Sequence, residues 1–111
     1  KTFETALRYT LDVSSVPVVK GLSHLPVIVD PSHAAGDRQF VPSLARAGIA
    51  AGADGVMVEC HDNPAKAMCD GPQALLPETF ASLMKELEGI AGVLLRKFTK
   101  TPVASGAPVT V

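Results

Sequence analysis

Two side chains that can bind a metal ion follow two apolar runs of this 111-residue chain. His33 comes after the run 25–30, in a stretch of turn-forming residues, and Glu59 comes directly after the run 55–58. Neither run alternates apolar with polar residues, which is typical of parallel strands buried on both faces. Because the ends of neighbouring parallel strands lie about 4.8 Å apart, we expect both side chains to reach the same point above the sheet.

A third candidate, Asp70, lies in a loop rich in Gly, Pro and Asn that is long enough to fold back over the strand ends. One imidazole and two carboxylates suit a divalent ion such as Mn²⁺, Fe²⁺, Co²⁺ or Zn²⁺. The same residue types are also common in turns, where a His follows Pro-Ser or an Asp precedes Gly. Spacing alone leaves both interpretations open.

Four neighbouring residues have two or more possible roles. Asp30 either caps the turn after the first run or orients a metal ligand, and its spacing favours the cap. His61 is a fourth ligand, an acid or base, or a loop residue, and we favour the loop. Cys60 and Cys69 could form a disulfide or bind metal, but a reducing cytoplasm favours ordinary small residues.

Helices are predicted between and after the two apolar runs. The first ends near Gly52, and its apolar positions at helical spacing are Phe40, Val41, Leu44, Ala47 and Ala51. The second opens at Pro77, ends at Gly89 or Gly92, and has an apolar face made of Phe80, Leu83, Met84 and Leu87. Upstream, we expect a short helix or turn that Pro17 interrupts.

This order of strands and helices predicts the α/β fold class. Periodicity does not decide between an open doubly wound sheet and a (β/α)8 barrel. In both, function collects at the carboxyl ends of the strands, where His33 and Glu59 lie.

Composition and charge exclude several other classes of protein. The ten basic and eleven acidic residues are scattered, so no basic face is available for nucleic acid or an anionic membrane. No apolar run approaches the roughly 20 residues of a membrane span, and the N-terminus does not resemble a signal peptide. We therefore expect a cytoplasmic protein.

The motifs around the candidate ligands resemble the C-terminal end of the type I 3-deoxy-7-phosphoheptulonate (DAHP) synthases, in their β subgroup. The resemblance rests on the order and spacing of five segments, 2–5, 10–12, 25–33, 52–59 and 63–71. It implies that residues 1–92 form the last two strand-helix units of a (β/α)8 barrel, while the Pro, Gly and Ser content of the tail predicts that 93–111 are an exposed or disordered extension. His33, Glu59 and Asp70 match the family's metal ligands, while its fourth ligand, a cysteine, lies upstream of Lys1.

The same resemblance implies an activity and its partners. DAHP synthases condense phosphoenolpyruvate with erythrose 4-phosphate, release phosphate and use a divalent metal; we expect a homo-oligomer in the full-length enzyme. A related condensing enzyme, 3-deoxy-octulosonate 8-phosphate synthase, is the nearer alternative. A catalytically silent interaction fragment is the other, and we expect these 111 residues by themselves to be inactive.

Overall fold

Two short parallel strands lie at the centre of the fold in the computed structural model, which describes residues 5–63, 66 and 71–98. Strand β1 (Ile28–Val29) pairs with strand β2 (Gly55–Val56) in the register Ile28 to Gly55 and Val29 to Val56. The predicted α/β class is therefore confirmed for this part of the chain. The hydrogen-bonded strands are shorter than the apolar runs that predicted them.

The described residues also form four α-helices. They are α1 (Ser15–Leu22), α2 (Pro31–Ala35), α3 (Val41–Ala50) and α4 (Pro77–Val93), and a short 3-10 helix (Gly71–Gln73) precedes α4. A proline stands at the first or second position of α2, α3 and α4, where its missing N–H is not needed. Pro17 does not interrupt α1, because it lies in the first turn.

The buried face of α3 differs from the predicted one. Val41 is buried as expected, but Ala47 is exposed, and the helix instead buries a face made of Val41, Ala45, Gly48 and Ile49. Of these, Val41, Ala45 and Ile49 pack against the buried face of α4, which consists of Leu83, Leu87 and Ala91. Helix α4 runs through Gly89 and ends at Val93, just after Gly92.

Burial of the strands on both faces was predicted and is wrong for this chain. Val29 is buried, and Val56 packs against the helices on the same face of the sheet. Side chains alternate along a strand, so Ile28 and Met57 point to the opposite face, where they are 50% and 55% exposed. The described helices therefore cover one face of the sheet, and its other face is apolar and open.

An ion cluster around Asp54 joins three segments at the end of the sheet opposite to His33. The Asp54 carboxylate accepts hydrogen bonds from Lys20 of α1 at 2.8 Å, from the Val27 N–H at 2.8 Å and from Arg96, after α4, at 2.6 Å. These partners, Lys20 first, hold the pKa of Asp54 well below its usual value, although partial burial opposes them. Residues 99–111 lie outside the described residues, and no described helix has the length and apolar character to span a membrane.

We expect Asp54→Asn to lower the free energy of unfolding by about 1–3 kcal/mol at pH 7, since it removes a charged acceptor that is only 17% exposed. The folded-state pKa lies below the unfolded value of about 3.9, so this stabilisation is complete above that pH and is lost as the pH falls toward the folded-state pKa. Urea unfolding should therefore show a smaller difference in the free energy of unfolding between wild type and variant at pH 3 than at pH 7. Glu88→Gln, at an exposed position of α4, is the control, and an equal gap at both pH values would contradict the prediction.

Candidate functional site

Asp30 joins the end of strand β1 to the side chain of His33. Its Oδ1 accepts the backbone N–H of His33 at 3.0 Å, so Asp30 is the N-cap of α2 and the predicted capping role is confirmed. Its Oδ2 lies 2.6 Å from His33 Nδ1. Asp30 therefore caps α2 and also contacts the imidazole of His33.

His33 lies in the first turn of helix α2, whereas the sequence predicted an irregular turn there. The Asp-Pro pair explains the difference, because Asp30 supplies a cap and Pro31 has the φ angle of a first helical residue. A helical backbone at this point fixes the direction in which the imidazole leaves the chain. The cap thus determines both the start of α2 and the orientation of His33.

Glu59 faces the other ring nitrogen of His33. Its Oε1 lies 3.7 Å from His33 Nε2, and the two side chains are 40% and 37% exposed, so both are accessible from solvent. The expectation that the two side chains reach a common point is therefore confirmed. When Nδ1 carries the ring proton, its N–H donates a hydrogen bond to Asp30. The lone pair is then on Nε2, the ring nitrogen that lies near Glu59.

The chemistry and spacing of this pair fit a divalent metal ion. Imidazole nitrogen and carboxylate oxygen bind such ions at about 2.0–2.2 Å, so two ligands of one ion are at most about 4.4 Å apart. The separation of 3.7 Å between His33 and Glu59 is within that limit. A carboxylate on the second ring nitrogen, as Asp30 provides, is the usual support of a metal-binding histidine.

The third predicted ligand, Asp70, lies outside the described residues, as does Cys69. Among the residues that the structure describes, no group of three or more His, Cys, Asp or Glu side chains is arranged to hold a metal. The described part of the candidate site thus consists of His33 and Glu59, with Asp30 behind the imidazole.

His61 and Cys60 follow Glu59 but do not join this pair. His61 Nδ1 accepts the N–H of Asn63 at 2.9 Å, which agrees with the predicted loop role. Cys60 is a free thiol, and burial, followed by the negative charge of Glu78, raises its pKa.

Ser32 is a further residue of the site, and its position in the sequence predicts only a turn former. Its side chain is completely buried, and its Oγ accepts the backbone N–H of Glu59 at 2.9 Å. The carbonyl oxygen of Glu59 accepts the N–H of Leu75 at 2.8 Å. The backbone of Glu59 is thus held on both sides.

Comparison with known proteins places the chain in a family. Residues 1–92 match the DAHP synthetase I family. The chain is 50% identical over 94 residues to a phospho-2-dehydro-3-deoxyheptonate aldolase from Thermotoga maritima, an alignment that covers 85% of this chain and 28% of the relative. It is also 40% identical over 91 residues to a 2-dehydro-3-deoxyphosphooctonate aldolase from Nitratidesulfovibrio vulgaris, with 72% of this chain and 33% of that relative covered.

A solved structure agrees with the sequence relatives. The fold matches a truncated form of 3-deoxy-D-arabino-heptulosonate 7-phosphate synthase from Thermotoga maritima with a TM-score of 0.86 and 48% identity. The match covers 89% of this chain and 38% of that structure. The chain thus spans between about a quarter and two fifths of the proteins it matches.

Proposed function

The chain belongs to the DAHP synthetase I family, and from this premise we propose that it is the C-terminal part of a metal-dependent DAHP synthase. The whole enzyme would join C3 of phosphoenolpyruvate to the aldehyde carbon of erythrose 4-phosphate and, with water, release phosphate. The observation that carries the proposal is the arrangement of Asp30, His33 and Glu59 at the carboxyl ends of two neighbouring parallel strands. Functional residues of (β/α)8 barrels lie at that end.

In this proposal the two strands are the last two of a (β/α)8 barrel. The exposed apolar face with Ile28 and Met57 supports it, because the corresponding face in a closed barrel is filled by side chains of the other strands. Residues 1–92 would belong to the barrel, and 93–111 would form an extension from it. These 111 residues alone would then be inactive and would expose an aggregation-prone surface.

The metal would be held by His33, Glu59 and Asp70, with Mn²⁺, Fe²⁺, Co²⁺ and Zn²⁺ as the fitting ions. A divalent ion bound there would supply positive charge to the aldehyde oxygen as the carbon–carbon bond forms. Asp30 would hold the His33 ring with its proton on Nδ1. Glu59 would add negative charge that helps to hold the cation, and its side chain is accessible from solvent.

The second candidate is 3-deoxy-octulosonate 8-phosphate synthesis, which the relative from Nitratidesulfovibrio vulgaris suggests by its name. An eight-carbon product made from three-carbon phosphoenolpyruvate requires a five-carbon aldose phosphate in place of erythrose 4-phosphate. The higher identity to the Thermotoga maritima relative, 50% against 40%, favours the four-carbon substrate.

The proposal predicts that the full-length protein releases phosphate from phosphoenolpyruvate only when an aldose phosphate is present. We expect the rate with erythrose 4-phosphate to exceed that with a five-carbon aldose 5-phosphate at least about tenfold, since a site built for one substrate hydroxyl pattern rejects another. Treatment with EDTA should abolish the release, and Mn²⁺ should restore it. Faster turnover of the five-carbon substrate would favour the second candidate, and no release with either would contradict both.

A further inference from the structure

We propose that Ser32 is a positioning residue of the metal site, because its hydroxyl fixes the backbone of Glu59 at the distance from His33 that a shared ion requires. The inference rests on the proposed function, since it concerns the same ligands. It assigns a role in metal binding to a side chain that would not itself touch the metal.

The parallel ladder between the two strands ends before it reaches the candidate ligands. The N–H of Met57 donates to the carbonyl of Val29 at 2.8 Å. Bonds along a parallel ladder recur every second residue, so the next donor would be the N–H of Glu59 and its acceptor the carbonyl of Pro31. Pro31 is instead the first residue of helix α2, so the chain has left the sheet at this point. Pro31 also lacks the N–H that a continuing ladder would use.

The hydroxyl of Ser32 takes the place of the missing acceptor. The Glu59 N–H donates to Ser32 Oγ at 2.9 Å, almost the length of the ladder bond before it. The side chain that aligns Glu59 therefore belongs to the residue directly before His33. A shift of Glu59 relative to His33 would change the distance between His33 Nε2 and Glu59 Oε1, which is 3.7 Å.

This role requires a hydrogen-bond acceptor on the side chain at position 32, which the Ser32 hydroxyl supplies. Ser32 has no exposed surface, so water cannot simply take its place beside the Glu59 N–H. An alanine there would leave that N–H without its acceptor, and the end of β2 would have to move to find another. Leu75, which binds the Glu59 carbonyl, holds only the other side of this residue.

The test compares Ser32→Ala with Ser32→Thr, which keeps a hydroxyl, in the full-length protein. Ser43→Ala is the matched control, because the Ser43 hydroxyl accepts a hydrogen bond from Arg46 on the exposed side of α3. Affinity for Mn²⁺ is measured by competition with a chelator, under conditions where circular dichroism shows every variant folded. We expect Ser32→Ala to lower the affinity for Mn²⁺ at least about tenfold, because removal of a residue that hydrogen-bonds to a metal ligand typically has an effect of this size. Ser32→Thr should stay within about threefold of wild type, and Ser43→Ala should not change. A residue that served stability alone would leave the affinity of the folded protein unchanged.

If Ser32→Ala or Ser32→Thr does not fold, the hydrogen bond is measured in the unaltered protein. Amide hydrogen exchange followed by NMR should show the Glu59 N–H protected, because it is bonded to a buried oxygen. Fast exchange of that amide would overturn the inference. So would a folded Ser32→Ala protein with wild-type affinity for Mn²⁺, while the proposed function would stand. A wild-type protein that binds no Mn²⁺ would overturn the proposed function, and this inference with it.

Discussion

His33→Ala is expected to lower the affinity of the full-length protein for Mn²⁺ by more than about 100-fold and to abolish measurable condensation. Loss of a residue behind a metal ligand costs about 10- to 100-fold in affinity, so loss of a ligand itself should cost more. His33 Nε2 is the nitrogen beside Glu59, and alanine leaves nothing in its place. Isothermal titration with Mn²⁺ and an assay of phosphate release measure the two effects.

Two further variants make this experiment specific. Asp30→Asn keeps a side chain that can cap α2 but removes the negative charge beside His33 Nδ1, so we expect an intermediate loss of about 10- to 100-fold in affinity. His61→Ala removes the nearest other histidine after Glu59, whose Nδ1 is bonded within its own loop, and should leave affinity unchanged. Equal affinities of wild type and His33→Ala, or a large loss in His61→Ala, would contradict this assignment.

The approach of His33 and Glu59 and the cap made by Asp30 were predictable because they follow from general rules of sheets and helix starts. His33 and Glu59 each follow an apolar run, and parallel strands bring the residues after such runs together, which needs no knowledge of the remaining chain. The pairing of Asp30 with His33 is also local, since an N-cap and the residue three positions later are always neighbours. Ser32 could not be identified in this way, because its partner lies on the other strand and depends on where the ladder stops.

The fold was predictable in its class and order of elements but less so in its surfaces. The apolar runs were interpreted as strands buried on both faces, but Ile28 is 50% exposed, because the described helices cover only one face of the sheet. The face of α3 was misjudged for a different reason. A glycine contributes nothing to a hydrophobic pattern, yet Gly48 is buried where α3 lies against Val29 of β1.

That contact predicts that Gly48→Ala lowers the free energy of unfolding by about 1–3 kcal/mol, as overpacking of a core does. A Cβ at position 48 would lie 2.5 Å from Val29 Cγ2, so the helix and the strand would have to separate. This cost opposes the gain of about 1 kcal/mol that alanine normally brings to a helix interior. Gly89→Ala in α4 is the matched control, because a Cβ there meets nothing within 4 Å, and it should stabilise by up to about 1 kcal/mol. Urea unfolding of both variants should show changes of opposite sign in the free energy of unfolding.

Removing the side chain opposite Gly48 tests the cause. Val29→Ala should lower the free energy of unfolding by itself, because it leaves a cavity. The double variant should lose less than the sum of the two single variants, by about 1 kcal/mol or more. Additive losses, or a Gly48→Ala protein as stable as wild type, would show that α3 has room to move. The contact also concerns the site, because Val29 directly precedes Asp30. A strand displaced by Gly48→Ala would carry Asp30 and His33 with it, so the affinity for Mn²⁺ should fall in that variant and recover when Val29→Ala is added.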